Sequence, residues 1–431
     1  MFFLIAAVVL SSAMTSCSSS EEISGDPDEP KRVVYMLEDP QPIQLTEAQR
    51  LFANDNNKFT LNFMKTVSEA DLGGKSFVYS PLSITYVLGM VNDAATGTTE
   101  QELEQTLGFH KGGIKAVNEY CKNLIDNLPL AGTDVTLNIA NAIFLNKDYT
   151  LKKQFLQDMN SYYGAKAEAL DFSSSGTLGK INGWCNEKTK GMIPKILDEV
   201  DPDMVSYLLN AIYFKADWTN KFDPKETQSE DFTTENGKKQ LPLMHQNVLI
   251  NYVRNENYAA VTIPYSNGLW SMTVMLPEEG KTTDDIIRLL AESGWSADNY
   301  GNPMSEALSY MVDLKIPRFE TSSDTNAMTN GLIGVLKQMG ISQVFDSEFA
   351  QIPNMCDYPL YISMMRQKAR IKVSEEGSEA AAVTIAGLAK CTAVGPEETP
   401  RAVFHANRPF VYVIREASSG VILFVGRFTG E

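Results

Sequence analysis

The spacing of hydrophobic positions changes along this chain. In residues 46–67, apolar residues recur every three or four positions behind Thr46, which can cap a helix, so this segment is predicted to be an amphipathic helix. Helix-type spacing continues to about Tyr163. Later segments are rich in β-branched and aromatic residues and predict strands at residues 248–254, 259–264, 271–276, 310–316, 361–373, 410–415 and 421–428. Early helices and later strands indicate an α+β domain with antiparallel sheets.

The N-terminal segment has the pattern of an export signal. The first 16 residues are uncharged, and residues 2–10 form an apolar run too short to span a bilayer. Met14-Thr15-Ser16-Cys17 resembles a bacterial lipobox, which predicts a signal peptide at 1–16 and lipidation of Cys17; an ordinary export signal is the alternative. Residues 17–45 are rich in Ser, Pro, Asp and Glu, so they are expected to form a flexible tether before a domain at 46–431.

Charge and cysteine content exclude several classes of function. The net charge is −17 and no basic cluster interrupts the acidity, so binding to nucleic acid is not expected. The five cysteines are widely spaced, without a C-x-x-C pair, so neither a disulfide framework nor a zinc site is indicated.

The sequence contains no recognisable enzyme motif. H-E-x-x-H, G-x-S-x-G and G-x-G-x-x-G are all missing, and the three histidines (His110, His245 and His405) have no spacing that pairs them with a nucleophile or a metal ligand. We therefore expect neither enzymatic activity nor a metal or cofactor.

An alanine-rich run near the C-terminus has the properties of a strand without a sheet. No proline and only two charges, Glu379 and Lys390, lie between Gly377 and Gly395, so every backbone N–H there could join a ladder. One face would carry small or uncharged residues: Ser378, Ala380, Ala382, Thr384, Ala386 and Leu388. An N-capped helix after Ser378 is the alternative, although Val383, Thr384, Ile385 and Gly387 disfavour it.

Many segments in order resemble one family, the serpins, from about residue 46 to 428. The matching segments include Phe77-Val78-Tyr79-Ser80-Pro81-Leu82-Ser83-Ile84, Ala140-Asn141-Ala142-Ile143-Phe144, Asn210-Ala211-Ile212-Tyr213-Phe214-Lys215, Ile316-Pro317-Arg318-Phe319, Asn407-Arg408-Pro409-Phe410 and Phe424-Val425-Gly426-Arg427. The hinge segment of the family is matched by Glu375, Glu376, Gly377, Ser378, Glu379, Ala380, Ala381 and Ala382.

This resemblance implies three β-sheets, about eight to nine helices and an exposed reactive-centre loop at about residues 375–402. It also implies inhibition of serine proteases: the protease attacks the loop, and the cut loop inserts into the main sheet before the acyl-enzyme hydrolyses. Loop insertion in serpins is a known case of strand addition. The implied partners are trypsin-like and elastase-like serine proteases, with papain-like cysteine proteases also considered, and the protein is expected to be a monomer.

The resemblance also assigns residues that control opening of the sheet. Ser80, Ser83 and Asn210 match polar groups beneath the sheet, Trp218 matches an aromatic residue at its top, and Gln367 stands where many serpins have histidine. Lys281 stands at the position of the usual partner of Glu375.

Two peptide bonds remain candidates for the scissile bond. Family spacing counted from Glu375 places it between Cys391 and Thr392, whereas the neighbouring Lys390 is the residue that a trypsin-like pocket selects. A non-inhibitory serpin and a surface lipoprotein with a binding or adhesion role are the alternative functions.

Overall fold

The computed structural model describes residues 42–70, 74–109, 112–132, 134–295, 308–328, 330–378 and 399–431. This part of the chain contains eight α-helices: α1 Glu47–Ala70, α2 Pro81–Ala94, α3 Gly97–Leu107, α4 Gly113–Asn127, α5 Lys153–Tyr163, α6 Thr177–Lys188, α7 Thr283–Ser293 and α8 Gly331–Gln338.

The main sheet has six strands. They are β2 (Val135–Asn146), β3 (Lys166–Leu170), β4 (Ser206–Asp217), β10 (Phe319–Asp324), β11 (Met365–Val373) and β12 (Gly377–Ser378), in the order β10-β11-β12-β4-β2-β3. Most neighbours are antiparallel, but β2 with β3 and β11 with β4 are parallel.

The remaining strands form a second network. They are β1 (Phe77–Tyr79), β5 (Gln228–Thr234), β6 (Gly237–Arg254), β7 (Tyr258–Tyr265), β8 (Trp270–Pro277), β9 (Leu308–Pro317), β13 (Arg401–His405), β14 (Phe410–Glu416) and β15 (Ile422–Phe428). The long strand β6 pairs with β5 and β9, and its last residues also pair with β7. Two of the three sheets expected from the resemblance are therefore continuous through β6.

Helix α2 occupies the centre of the fold. Ser80 precedes it and Pro81 takes its first position, where the missing N–H of proline costs no hydrogen bond. Every residue of α2 except Asp93 is buried, against β2 and β4 on one side and β15 on the other. This helix therefore lies directly beneath the main sheet and carries Ser83 to it.

The structure confirms the α+β prediction and most of the predicted strands, with three local differences. The segment that was expected to continue in helix-type spacing to Tyr163 contains β2, whose residues 142–146 are all buried and so show no alternation of polar and apolar positions. The strand predicted at residues 361–373 begins only at Met365. Ile43 and Leu45, placed in the tether, are buried, and Thr46 and Gln49 form a reciprocal cap at the start of α1.

Candidate reactive-loop hinge and sheet seam

Strands β4 and β11 form a seam that is closed along only part of its length. They pair directly where residues 365–368 face residues 208–211. Further along, residues 369–372 of β11 and 212–215 of β4 are not paired with each other. The two strands are connected again only through β12, which pairs with Val373 on one side and with Ala216 and Asp217 on the other.

The hinge residues enter the top of this seam through a tight turn. Ser374 and Gly377 exchange backbone hydrogen bonds of 2.8 and 3.2 Å, and the backbone of Gly377 lies directly against β4. A Cβ atom at Gly377 would collide with the carbonyl oxygen of Ala216, so the close approach requires glycine. β12 is antiparallel to both neighbours, which is the direction that a strand inserting between them would take.

Ser378 points into the protein, as predicted for the first residue of the inward face. Its side chain is fully buried, and its Oγ lies 2.6 Å from the hydroxyl oxygen of Tyr265. Tyr265 in turn stacks on Trp218, with ring centroids 4.2 Å apart. The Trp218 indole N–H donates to the carbonyl of Ser374 at 2.9 Å. This aromatic pair therefore supports the turn from below, and burial raises the pKa of the Tyr265 hydroxyl, which keeps it protonated.

The Glu375 carboxylate is held by a partner different from the expected one. It binds the guanidinium of Arg318 and accepts a hydrogen bond from the hydroxyl of Thr227 at 2.7 Å. The predicted partner Lys281 is exposed immediately before α7 and forms no ion pair with Glu375, so that pairing was wrong. Arg318 lies on the short connection between β9 and β10, directly beside the turn.

The charge of Glu375 is maintained against burial. Burial alone would raise the pKa of its carboxyl, but hydrogen bonds from Arg318 and Thr227 outweigh this effect and place the pKa below the usual range. The next residue, Glu376, forms an ion pair of 2.7 Å with Lys221. Both acidic residues of the turn are therefore fixed by cations on neighbouring elements.

The four remaining control residues form one buried cluster beneath the closed part of the seam. The side-chain amide N–H groups of Gln367 donate to the Ser80 carbonyl at 2.9 Å, to the Ser83 hydroxyl at 2.9 Å and to Asn210 Oδ1 at 3.1 Å. The Ser80 backbone N–H donates back to Gln367 Oε1 at 3.1 Å, and the Ser83 hydroxyl donates to Asn210 Oδ1 at 2.6 Å. The cluster therefore joins α2, β4 and β11.

The sequence indicated no site role for several residues that complete these sites. Tyr265, Arg318 and Asn141 each contact a predicted residue, and the side-chain oxygen Oδ1 of Asn141 accepts a hydrogen bond from Asn210 Nδ2 at 2.8 Å. Asn141 and Arg318 both stand in segments that resemble the family, which was an available signal, although the sequence did not show which residues they contact. Tyr265 stands in no such segment, and its contacts come from distant elements.

Several predicted site residues lie outside the described residues. They are Glu379, Ala380, Ala381 and Ala382 of the hinge, Lys390, Cys391 and Thr392 of the scissile region, and Cys17 with the predicted signal peptide. In the described part of the chain, no helix is long and apolar enough to cross a membrane, and no group of three or more potential ligands is arranged to hold a metal ion.

Comparison with known proteins identifies the family. A family model described as "Serpin (serine protease inhibitor)" matches residues 54–430. Human leukocyte elastase inhibitor is 30% identical over 383 residues, which are 87% of this chain and 98% of that protein. An uncharacterised serpin-like protein of Thermococcus kodakarensis is 29% identical over 377 residues, covering 87% of this chain and 84% of that protein.

Solved structures show the same fold. The thermophilic serpin tengpin, in its native state, superimposes with a TM-score of 0.76 at 27% identity, covering 90% of this chain and 95% of that chain. Human thyroxine-binding globulin superimposes with a TM-score of 0.75 at 26% identity, covering 88% of this chain and 98% of that chain. The chain belongs to the serpin family and has the serpin fold; this is a family of protease inhibitors and not of enzymes.

Proposed function

We propose that this protein inhibits serine proteases by suicide-substrate trapping, with insertion of the cleaved loop into the main sheet. The observation that carries the proposal is the position of Gly377 and Ser378, which already pair with β4 and β11 at the top of a seam whose middle section is unpaired. A strand continuing downward from Ser378 would find unpaired backbone on both sides.

Insertion would exchange one set of hydrogen bonds for a larger one. The direct pairing of residues 365–368 with 208–211 must be broken, and the contact between Gln367 and Asn210 must be broken with it. In return the new strand would pair with both β4 and β11, at about 0.5–1.5 kcal/mol for each net hydrogen bond. This gain becomes available only after cleavage frees the loop from its C-terminal connection to β13.

The side chains of the hinge suit this movement. Ser378 shows which face of the segment is inward, and the residues at alternate positions after it (Ala380, Ala382, Thr384 and Ala386) are small and uncharged, so they can be buried without desolvating a charge. Val383 and Ile385 fall on the opposite face. The alternation from Ser378 therefore supports an inhibitory role over a non-inhibitory one.

We propose trypsin-like and elastase-like serine proteases as targets, and papain-like cysteine proteases as a third class to be tested. Lys390 would fill an acidic specificity pocket, whereas Ala389 and Cys391 suit a small apolar pocket. The second class is also supported by relatives that are named leukocyte elastase inhibitors. We further propose that the protein is exported by a bacterium, anchored through Cys17 at the outer membrane or cell surface, and monomeric.

Incubation with a panel of serine proteases tests the mechanism. An inhibitory serpin is expected to form a covalent complex that survives boiling in detergent, because the protease is trapped as an acyl-enzyme. Cleavage without any complex would show a non-inhibitory serpin instead. A loop that no protease cuts, together with binding to a surface, would favour the adhesion alternative.

A further inference from the structure

Part of β2 forms an open edge of the main sheet. Residues 135–141 pair with β4 on one side, but β3 pairs only with residues 142–146 on the other. Within the described residues no strand covers the remaining edge. Backbone groups that turn away from β4 there are available to an added strand, in the way that an extended peptide extends an exposed sheet edge.

A groove of about 910 Å³ runs along this open edge. One wall is Ile125 at the end of α4, another is Trp184 of α6, and the floor includes Leu137, Ile139 and Asn141. The Asn141 Nδ2 group is buried and has no hydrogen-bond partner in the described part of the chain. The groove therefore offers a mixed polar and apolar lining, strand backbone and a free donor.

The groove also carries an excess of positive charge in an acidic protein. Three lysines line it, Lys166, Lys180 and Lys188, against one lining carboxylate, Glu187. Lys166 and Lys180 share a single further carboxylate, that of Glu168. An occupant with acidic residues beside an apolar stretch would complement this surface.

The described chain begins beside the helix that forms one wall of this groove. The carbonyl of Gln44 accepts a hydrogen bond of 3.0 Å from the side chain of Asn123 on α4, and Ile125 of the groove wall is two residues further along the same helix. Asn123 and Ile125 are about 3 Å apart along the helix axis and about 200° apart around it, so the preceding chain would pass around the end of α4 to reach the groove. Ile43 and Leu45 are buried and the residues between and around them are exposed, as in an extended segment.

The sequence that precedes Pro42 contains one segment suited to the groove. Residues 33–37 (Val-Val-Tyr-Met-Leu) form a proline-free run of high strand propensity that follows Lys31 and Arg32, and the acidic pair Glu38 and Asp39 lies on the side nearer Pro42. Four residues separate Leu37 from Pro42, so the five steps between their Cα atoms span at most about 18 Å in an extended chain. We propose that residues 33–37 dock in this groove as an additional strand on the open edge of β2. This proposal is independent of the inhibitory mechanism.

Hydrogen exchange of the full chain tests the docked strand. In the variant Tyr35→Pro, which removes a donor and disfavours a strand, those amides of residues 135–141 that turn away from β4 are expected to exchange about tenfold faster than in the parent. The matched variant Ser24→Pro changes the same N-terminal region outside the segment and is expected to leave exchange there unchanged. A synthetic peptide of residues 30–41, added in excess to the Tyr35→Pro protein, is expected to restore protection.

Two results would overturn the proposal. Equal exchange at residues 135–141 in the parent and both variants would show that residues 33–37 do not cover the edge. Protection that rises with protein concentration, and persists in Tyr35→Pro, would show that a second copy of the chain is the occupant instead.

Discussion

Gln367 of β11 and Asn210 of β4 occupy the same register position on opposite sides of the seam, and the Gln367 side-chain N–H donates to Asn210 Oδ1 at 3.1 Å. This hydrogen bond crosses the line along which a loop strand would enter. Both side chains are buried and are also tied to Ser83 of α2. The contact therefore connects the closed state of the sheet to the helix beneath it.

Removal of the Gln367 side chain is expected to weaken the closed sheet. Gln367→Ala removes the acceptor of the buried Ser80 backbone N–H and one donor each from the Ser83 hydroxyl and Asn210 Oδ1, so the free energy of unfolding should fall by about 1–3 kcal/mol, measured by urea denaturation. Lys372→Ala is the control, because this side chain lies exposed on the same strand. Equal stability of the two variants would contradict the role of the cluster.

The contact between Glu375 and Arg318 predicts a pH-dependent effect. The pKa of Glu375 is lowered in the folded protein, so its contribution to stability is present above the ordinary pKa of a glutamate and is lost as the pH falls through the lowered value. Arg318→Ala should therefore reduce stability at neutral pH, by less than about 1 kcal/mol because Arg318 is half exposed.

The difference between the parent and Arg318→Ala should shrink as the pH falls below the ordinary pKa of a glutamate, about 4.3, and should disappear once the pH is below the lowered pKa of Glu375 in the parent. Thermal unfolding between pH 3 and 7 measures it. Lys281→Ala serves as the control and should match the parent throughout. A larger effect of Lys281→Ala would restore the partner first expected from the sequence.

The inward face of the hinge is tested with charged substitutions. Ser378→Arg and Ala380→Glu would each bury a charge during insertion, at a cost of several kcal/mol. Insertion should therefore become slower than hydrolysis of the acyl-enzyme. On gels, these variants should be cleaved with little trapped complex. Val383→Arg, on the opposite face, should still trap protease; the same loss in all three would mean that the alternation is misassigned.

Cleavage of the loop is expected at different bonds with different enzymes. A trypsin-like protease should cut between Lys390 and Cys391, because its acidic specificity pocket binds the ammonium group of Lys390. An elastase-like enzyme, whose pocket binds small uncharged side chains, should cut after Cys391 or Ala389. Mass spectrometry of the C-terminal fragment distinguishes these products. The cleaved protein should melt well above the intact one, and an unchanged melting temperature would argue against insertion.

The proposed anchor depends on one thiol. In Cys17→Ser no acyl chain can be attached, so the protein should move from the membrane fraction to the soluble fraction after cell fractionation. Membrane association that survives this substitution would mean that Cys17 is not the anchor.

The sequence by itself determined the fold class, the positions of most strands and the residues of the polar cluster. These features follow from hydrophobic periodicity and from the ordered serpin-like segments, which are local patterns that can be recognised without knowing what each segment contacts. Ser378 illustrates this, because alternation put it on the face with the small, uncharged residues and the resemblance to the serpin hinge made that face the inward one; its side chain is buried.

Only the tertiary structure decided which partners these residues meet. Glu375 binds Arg318 and not Lys281, and the Ser378 hydroxyl forms its hydrogen bond with the hydroxyl of Tyr265. Both contacts arise because elements far apart in the chain converge at the top of the seam. The extent of pairing between β4 and β11 was equally inaccessible from sequence. β4 is buried along most of its length, whereas β11 alternates buried and more exposed residues from Gln367 onward, and neither pattern changes at the point where the two strands separate. That point depends on the turn at residues 374–377, which the distant Trp218 and Tyr265 support from below.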